Sequence, residues 1–403
     1  MNLKFAWRNV WRHKSRSLII MASVAIGLFA GLFVMGLYEG MMRSRVRVVI
    51  DTEVAHLQIH HPEFKQDYDP NFILELDRIR ESLNKVQSIR KAAFRSISQG
   101  MLATTTGSAG VQIFGIGVEE EAVVSSLDDK IIEGETLEPA KKNGILIGRK
   151  LADKMKVKLG SKLVLTFTDR ENNVISGAFR ISGIYQTINT SLDERFVYIH
   201  RERLNGYLGL GDTCHEVAIL LNQDEDLEST KTQLVAQFPE YSVKTWRENS
   251  PETDLMVGTI DQYSTIIIII IMIALAFGII NTMLMSVLER TREIGMLSAL
   301  GMNRFKVFSL ILGETFILTL IGVPLGILMS WISINHYSTA GIDISSFSED
   351  AMSSFGFTSI IYPEFPLENL ISVLLIVVST ALFSSIFPSI KAIKLQPADA
   401  LRQ

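Results

Sequence analysis

Few residues of this chain have the types and spacing that chemistry requires. The sequence contains no H-E-x-x-H, no G-x-S-x-G and no phosphate-binding loop, so we assign no catalytic residue and predict that the chain is not an enzyme. His56 and His60 would share one face of a strand beside His61, but three histidines at a strand end are usually polar surface, and we predict no metal. Cys214, the single cysteine, is expected to be a small buried or half-buried residue.

One acidic residue lies well inside an apolar segment. Glu314 interrupts the otherwise uncharged run 307–334. An ionisable group within a membrane is costly and is therefore a functional candidate, for example in a proton relay. Because Glu314 is close to one end of the run, it could also lie at headgroup depth and bond Arg304 or Lys306.

Four segments are long and apolar enough to cross a membrane. The chain is 47% hydrophobic and its mean hydropathy is +0.25. The predicted spans are 17–38, 262–288, 307–334 and 369–390. We therefore predict an α-helical membrane protein with four transmembrane helices and a large domain, 39–261, inserted between the first and second.

Lysine and arginine residues indicate how the spans are oriented. Outside the long inserted region, they occur in 1–16, 289–306 and 391–403, which lie on one side of a four-span protein, whereas the loop 335–368 contains five acidic residues and no Lys or Arg. The positive-inside rule then predicts cytoplasmic termini and an extracytoplasmic inserted domain, in the inner (cytoplasmic) membrane. The basic segment 1–16 also has helical apolar spacing, which predicts an interfacial amphipathic helix. The net charge of −4 gives no indication of a nucleic-acid partner.

The inserted domain combines strand and helix patterns, which predicts an α+β fold. The predicted strands are Val54–His60, Met101–Thr106, Val111–Gly115, Lys162–Phe167, Phe179–Ile184 and Val217–Leu221. The predicted helices are 75–88, 148–157 and 226–237.

The loop between the second and third spans contains a specific motif. Residues 289–301 read E-R-T-R-E-I-G-M-L-S-A-L-G, a short helix with an apolar stripe of Ile294, Leu297 and Leu300 and a terminal Gly301. With the early Glu314 of the next span, this string closely resembles the cytoplasmic loop of ABC-transporter permeases of the MacB/FtsX/LolC–LolE superfamily. The ends of the chain, W-R-N-V-W-R-H-K-S-R-S-L and P-S-I-K-A-I-K-L-Q-P-A-D-A-L-R, are also similar to that family. Within the inserted domain, G-I-L-I-G-R-K-L-A-D-K-M-K-V-K-L-G and F-R-I-S-G-I-Y-Q-T are most similar to its lipoprotein-releasing branch.

The resemblance implies how the chain works. In that family the loop is a coupling helix that docks on a separate ATPase, which binds ATP and Mg while the permease binds no cofactor. It also places Glu314 in a structural joint beside that helix. The residues implied in coupling are Glu289, Arg290, Arg292, Glu293, Ile294, Gly295, Leu297, Leu300 and Gly301.

Several residues of the spans are candidates for substrate contact or helix packing. Methionine adapts to varied apolar ligands, and the resemblance places acyl chains between the first two spans, although ordinary packing explains the same residues equally well. The substrate candidates are Met35, Tyr38, Met41, Met42 and Tyr263. Small residues four apart allow close helix approach, and we expect the first two spans to pack at a subunit interface. The small-residue pairs are Gly27/Gly31, Ala274/Gly278 and Gly322/Gly326, the last around Pro324, which should kink its helix.

The resemblance implies a permease that extracts or exports an amphipathic substrate, most simply by releasing lipoproteins. Drug or peptide efflux and mechanical signalling to a cell-envelope hydrolase are the alternatives. The implied partners are an ATPase, a second permease that is identical or paralogous, membrane lipids, lipoproteins and a periplasmic chaperone.

Overall fold

Four long apolar helices and one inserted α+β domain make up this protein. The computed structural model describes residues 11, 14–138, 143–299, 302–345 and 352–394. The chain divides into a membrane unit, formed by 1–42, 258–342 and 360–403, and an inserted domain, formed by 43–257 and 343–359. The predicted fold class is confirmed. Most of the predicted interfacial helix over 1–16 lies outside the described residues.

The four long helices extend past the predicted spans at one or both ends. In the described part of the chain, these four are long and apolar enough to cross a membrane. Their bounds are Lys14–Val48, Ile260–Glu289, Arg304–Ala340 and Leu370–Ile393. A six-residue π-helix, Val49–Val54, continues the first of them into the inserted domain. Pro324 lies inside the third, which continues to Ala340.

The apolar core of the membrane unit contains side chains from all four long helices. Its buried members include Leu28 and Leu32 of the first, Ile279 and Met283 of the second, Leu318 of the third and Val377 of the fourth. Buried hydroxyls, such as that of Ser330, donate to the carbonyl four residues earlier in their own helix (2.8 Å to Gly326 O). Such internal bonding satisfies a polar group where no water is present.

The inserted domain is built on a ten-stranded sheet. The strands of the chain, in order, are β1 Leu57–His60, β2 Leu74–Glu75, β3 Ile89–Ala103, β4 Ser108–Ile116, β5 Ile131–Gly134, β6 Gly144–Gly148, β7 Lys162–Thr168, β8 Val174–Tyr185, β9 Phe196–His200, β10 Thr213–Cys214, β11 Glu216–Leu221, β12 Ser242–Thr245, β13 Ile342–Asp343 and β14 Ile360–Ile361. The sheet has the order β12-β1-β11-β3-β4-β9-β6-β8-β5, and β7 pairs with β3 and β8. The helices of eight or more residues in this domain are Leu76–Leu83, Arg201–Leu208, Leu227–Gln237 and Pro251–Gly258. The shorter ones are Phe64–Asp67, Val118–Val124, Arg149–Met155, Thr190–Asp193 and Trp246–Asn249.

The predicted strands are present with different bounds. The first begins at Leu57 rather than Val54, because residues 49–54 continue the first long helix as a π-helix. The second is the end of the 15-residue strand Ile89–Ala103. The prediction omitted eight short strands, which have too few residues to show a period. Four of them, β5, β6, β9 and β12, have four or five residues, and the other four, β2, β10, β13 and β14, have two.

The three histidines near β1 differ in burial and contact different partners. His56 and His60 are buried in and beside β1, an inner strand with a neighbour on each side, whereas His61 is half-buried. The His56 ring pairs with Asp224 (2.9 Å), and His61 stacks on Phe72. In the part of the chain that the structure describes, no group of three His, Cys, Asp or Glu residues could hold a metal ion. The surface exposure expected of His56 and His60 was wrong.

A buried neutral histidine should make the inserted domain sensitive to acid. Burial lowers the pKa of His215 to about 4, while its Nδ1 accepts from Ile97 N (2.9 Å) and its Nε2 lies 3.3 Å from Pro70 O. In the unfolded chain the His215 imidazole takes up a proton near pH 6.5, whereas in the folded chain it stays neutral at that pH. The stability this group contributes is therefore complete above pH 6.5 and is lost as the pH falls toward 4. Burial lowers the pKa of His60 in the same direction.

We expect His215→Gln to weaken this acid dependence. Between pH 7.5 and pH 5 the parent should lose about 2 kcal/mol of unfolding free energy through His215, measured as a shift in urea midpoint. The variant should be less stable at pH 7.5 and should lose less on acidification. His61→Gln is the control and should keep the parental loss, because His61 is half-buried and stacked on Phe72. Equal acid losses in all three proteins would contradict the assignment.

The single cysteine lies in the core of the inserted domain. Cys214 is fully buried, as expected, and burial raises the pKa of its thiol to about 12. A thiol with that pKa carries almost no thiolate at neutral pH and is therefore unreactive in the folded protein.

Candidate functional site

A short helix connects the second and third long helices. It spans Thr291–Ala299, directly after Arg290. The third long helix then begins at Arg304, where the side chain of Asn303 accepts from Phe305 N (3.3 Å) as an N-terminal cap. We call Thr291–Ala299 the loop helix. Its position is the one at which the sequence predicted a coupling helix.

One buried arginine joins the loop helix to the third long helix. Arg290 Nη1 donates to both carboxylate oxygens of Glu314 (3.0 and 3.1 Å), and Arg290 Nε donates to Glu293 (3.1 Å). The Arg290 and Glu314 side chains are 14% and 9% exposed. Burial alone would lower the pKa of Arg290, but the two carboxylates raise it. The ion-paired guanidinium is thus held between two helices.

The predicted partners of Glu314 were wrong. Arg304 and Lys306 are exposed, whereas Arg290 is the cation that hydrogen-bonds the carboxylate. The sequence analysis named Arg304 and Lys306 because they are nearer to Glu314 along the chain than Arg290 is. Arg290 becomes the partner because the chain turns back at the end of the second long helix.

The loop helix has one face packed inward and one face exposed. Ile294 is buried in the core of the membrane unit beside Val287 and Ile311, and Gly295 is buried too. The space among these side chains, Arg290 and Glu314 is a void of about 20 Å³, enough for about one water molecule. Arg292 and Met296 are exposed on the other face, as is Glu289 just before the helix. The remaining candidates, Leu297, Leu300 and Gly301, have side chains or positions outside those described.

This arrangement separates the candidate coupling residues into two groups. Ile294 and Gly295 pack within the permease, and Arg290 is paired to Glu314, so these hold the loop helix in place. Glu289, Arg292 and Met296 form the exposed surface, which we call the outer face of the loop helix. The loop helix is thus joined to the second and third long helices by the ion pair and by the apolar contacts.

A pair of glycines that the sequence analysis did not select lies near the other end of the first long helix. Gly36 and Gly40 face the segment Tyr362–Glu364, which precedes the fourth long helix. Gly36 O accepts from Glu364 N (3.0 Å), and a Cβ on Gly40 would overlap the carbonyl oxygen of Tyr362. The two glycines therefore let this segment cross the first helix in backbone contact. Their four-residue spacing was a usable signal.

The other candidate packing glycines differ in their contacts within one chain. Gly27 contacts Leu275 of the second helix (3.1 Å from an added Cβ), but Gly31 and Gly278 have no such neighbour within 4 Å in the described residues. A close crossing joins Gly322 and Gly326 of the third helix to the backbone of the first, where a Cβ added to each would lie 2.9 Å from Met21 O and Ala25 O respectively. Packing of the first two spans at a subunit interface stays a prediction. Ala274 is exposed beside Gly278.

The substrate candidates differ in accessibility. Met35 and Met42 are buried, Tyr38 and Met41 are half-buried, and Tyr263 is 54% exposed. Tyr38 and Tyr263 lie close enough to interact electrostatically, so the first and second long helices are neighbours there. The two buried methionines are packing residues in this conformation.

The start of the inserted domain is fastened by polar contacts around the π-helix. Arg45 Nη1 donates to Glu53 (2.7 Å), which also accepts from Asn189 (2.8 Å). Lys130 Nζ donates to Asp51 O and to the Thr52 hydroxyl (both 2.9 Å) and to Ser125 O. Burial lowers the pKa of Lys130 to about 8. These bonds connect Val49–Val54 rigidly to the rest of the domain.

Two family profiles match the sequence. Residues 17–237 match the profile described as MacB-like periplasmic core domain, and residues 265–397 match that described as FtsX-like permease C-terminal. The first match alone covers more than half of the chain. The chain belongs to the MacB/FtsX/LolC superfamily of ABC-transporter permeases. The family predicted from the loop motif is thereby confirmed, and the chain is an integral membrane permease of a family that works with an ATPase.

Named relatives align along most of the permease. The lipoprotein-releasing system transmembrane protein LolC of Neisseria meningitidis serogroup B is 23% identical, over 96% of this chain and 94% of the relative. The macrolide export ATP-binding/permease protein MacB of Campylobacter jejuni is 21% identical, over 84% of this chain and 54% of the relative. The crystal structure of the periplasmic region of MacB from Actinobacillus actinomycetemcomitans covers 51% of this chain and 94% of that one, with 15% identity and a TM-score of 0.36.

Proposed function

We propose that this permease uses ATP hydrolysis by a separate ATPase to extract an amphipathic substrate at the outer surface of the membrane, most simply a lipoprotein. The observation that carries the proposal is the loop helix, which presents Arg292 and Met296 outward while Arg290 and Glu314 fix it to two long helices. The sequence has no nucleotide-binding motif, so the energy comes from a partner. Two such permeases, identical or paralogous, would form the unit, because ABC ATPases act in pairs.

The orientation follows from the distribution of charge. With Lys and Arg concentrated in 1–16, 289–306 and 391–403, the termini and the loop helix lie in the cytoplasm and the inserted domain lies outside. The ATPase would then bind the outer face of the loop helix. Its movement would pass along the long helices to the inserted domain, whose first segment is held by Lys130 and Glu53.

Met296→Glu should remove the ATPase from the permease. A carboxylate introduced at this exposed apolar position of the outer face is costly to desolvate in an interface, but it does not disturb the permease core. We expect at least a ten-fold loss of ATPase subunit that copurifies with the tagged permease, identified by mass spectrometry. Val174→Glu is the matched control, since Val174 is 75% exposed in the inserted domain, and it should retain the ATPase. Full retention by Met296→Glu would contradict docking at this face.

A photo-crosslinking residue at position 38 should capture the substrate during turnover. Tyr38 is half-buried where the first and second long helices are neighbours, which suits an acyl chain entering between them. We expect lipoprotein adducts that depend on ATP hydrolysis. A crosslinker at Phe277, which is 69% exposed on the second helix, is the control and should capture phospholipid. Phospholipid alone at both positions would contradict lipoprotein release and favour signalling without transport.

Efflux of a drug or peptide is the second candidate, because one relative is named as a macrolide exporter. ATP-dependent crosslinking of a small amphipathic compound at position 38, without lipoprotein, would favour it.

A further inference from the structure

The central strand β3 has one unpaired stretch of edge. Its residues 89–95 pair with β11, and its residues 96–103 pair with β4. The first β3–β4 pair is Ser96 with Gly115, and β4 ends at Ile116. Among the described strands, none therefore pairs with residues 89–95 on the side opposite β11.

Backbone hydrogen bonds show which groups face the unpaired side. His215 N donates to Arg95 O on the β11 side (2.9 Å). The next residue, Phe94, faces the opposite side, because its N–H lies 3.4 Å from a Glu120 carboxylate oxygen and its carbonyl accepts from Arg201 (3.1 Å). Backbone groups alternate along a strand. The N–H and C=O of Ala92 therefore point to the same open side as those of Phe94, and no described residue hydrogen-bonds them there.

A groove of about 400 Å³ runs along this open edge. Its far wall is the end of the helix Leu76–Leu83, which contributes Arg80 and the buried Leu83. Ala92 and Phe94 of β3 line the near side. The groove thus combines an unpaired strand edge with an apolar strip, which is the geometry of sites that bind a peptide by strand addition.

The charge of the groove is mainly positive. Arg80, Arg90 and Lys91 line it, against Glu120 as the carboxylate among its lining residues. Arg80 lies over the Phe94 ring (4.9 Å to the centroid) and pairs with Glu120 (3.4 Å). The Glu120 carboxylate therefore accepts from Phe94 N at one end of the open edge. The cations beside Ala92, Arg90 and Lys91, remain available to a carboxylate of a bound peptide.

We propose that this groove binds an extended acidic segment of another protein, which pairs with the open backbone N–H and C=O of Ala92 as an added strand and places carboxylates on Arg90 and Lys91. A donor and an acceptor that point to the same side suit a peptide main chain, which supplies both, whereas a free anion supplies no donor. The apolar strip beside it takes the alternate side chains of the segment. The inserted domain thus carries a peptide-docking site separate from the long helices.

The test uses the full-length permease in detergent micelles and two fluorescein-labelled nonapeptides. One alternates glutamate with valine and the other alternates lysine with valine. Fluorescence anisotropy should show saturable binding of the glutamate peptide and at least ten-fold weaker binding of the lysine peptide. Equal binding of the two peptides would overturn the proposal. Displacement of the glutamate peptide by an equal concentration of inorganic phosphate would also overturn it, because the site would then bind anions in general.

Two variants test the strand edge and the charge separately. Ala92→Pro removes an N–H that bonds nothing inside the domain, and should weaken the glutamate peptide about ten-fold through lost main-chain pairing, whereas Ala92→Val should not. Lys91→Glu should weaken it by a similar factor. Lys85→Glu is the matched control, since Lys85 is exposed two residues after the helix Leu76–Leu83, outside the groove lining, and pairs with Glu81. Parental affinity in both Ala92→Pro and Lys91→Glu would overturn the proposal, and unreacted Cys214 in each variant verifies folding.

Discussion

Arg290→Leu is expected to destabilise the membrane unit and to uncouple the loop helix. The substitution leaves the Glu314 carboxylate buried, 9% exposed, without the guanidinium that donates to both of its oxygens. Breaking a buried ion pair by removing one partner costs about 3 kcal/mol or more. Thermal unfolding in detergent should show this loss. ATP hydrolysis by the bound ATPase should continue, but it should no longer respond to substrate.

A double-mutant cycle and a control define the result. Arg290→Leu/Glu314→Leu should be less destabilised than the sum of the two single changes, because no charge is left buried alone. It should nevertheless remain uncoupled, since the polar contact between loop helix and third helix is still missing. Arg292→Leu removes an exposed arginine two residues away and should change stability little. Equal stability of Arg290→Leu and Arg292→Leu would disprove the role of the pair.

Gly40→Ala is expected to have the largest effect of any single methyl group added to the first long helix. Its Cβ would overlap the carbonyl oxygen of Tyr362, and backbone at both sides of the contact leaves no side chain to move. Overpacking of this kind costs about 3 kcal/mol. Gly36→Ala, whose Cβ would lie 2.5 Å from Glu364 O, should act in the same direction. Thermal unfolding of each purified variant measures the effect.

The control for these variants, Gly31→Ala, should not destabilise the protein. Gly31→Ala places its Cβ where no atom of the described residues lies within 4 Å, so the expected effect inside one chain is the better helix propensity of alanine. We expect Gly31→Ala to be neutral or to stabilise by about 0.5 kcal/mol. If Gly31→Ala and Gly40→Ala are equally destabilised, the contact with Tyr362 is not the cause. A marked loss in Gly31→Ala alone would instead indicate a subunit contact at that position.

The sequence predicted the features that depend on composition over many residues. Four spans follow from long uncharged runs, and the loop helix follows from the spacing of Ile294, Leu297 and Leu300. The family likewise rests on a continuous string. These features are local in the sequence, so they can be predicted without knowing which residues meet in the folded chain.

The features that the sequence did not predict depend on distant partners. Arg290 and Glu314 are 24 residues apart, and the turn of the chain between them decides which cation is near the carboxylate. The strand Ile89–Ala103 begins I-R-K-A-A, in which Arg90–Ala93 are residues that favour helix, and it is a strand because β11 and β4 pair with it. Gly40 lies beyond residue 38, where the first span was predicted to end, so Gly36 and Gly40 did not fall within one predicted helix.

The inserted domain is made of two pieces of chain, 43–257 and 343–359, although only the first is an insertion in the ordinary sense. The second piece contacts the first directly: Ser191 Oγ donates to Ser354 O (3.0 Å), and the hydroxyls of Ser44 and Thr358 are 3.1 Å apart. A chimera that exchanges 43–257 alone between two permeases would therefore juxtapose mismatched surfaces. The inserted domain of this protein is therefore bipartite, and the loop before the fourth helix has to be exchanged together with the domain that it completes.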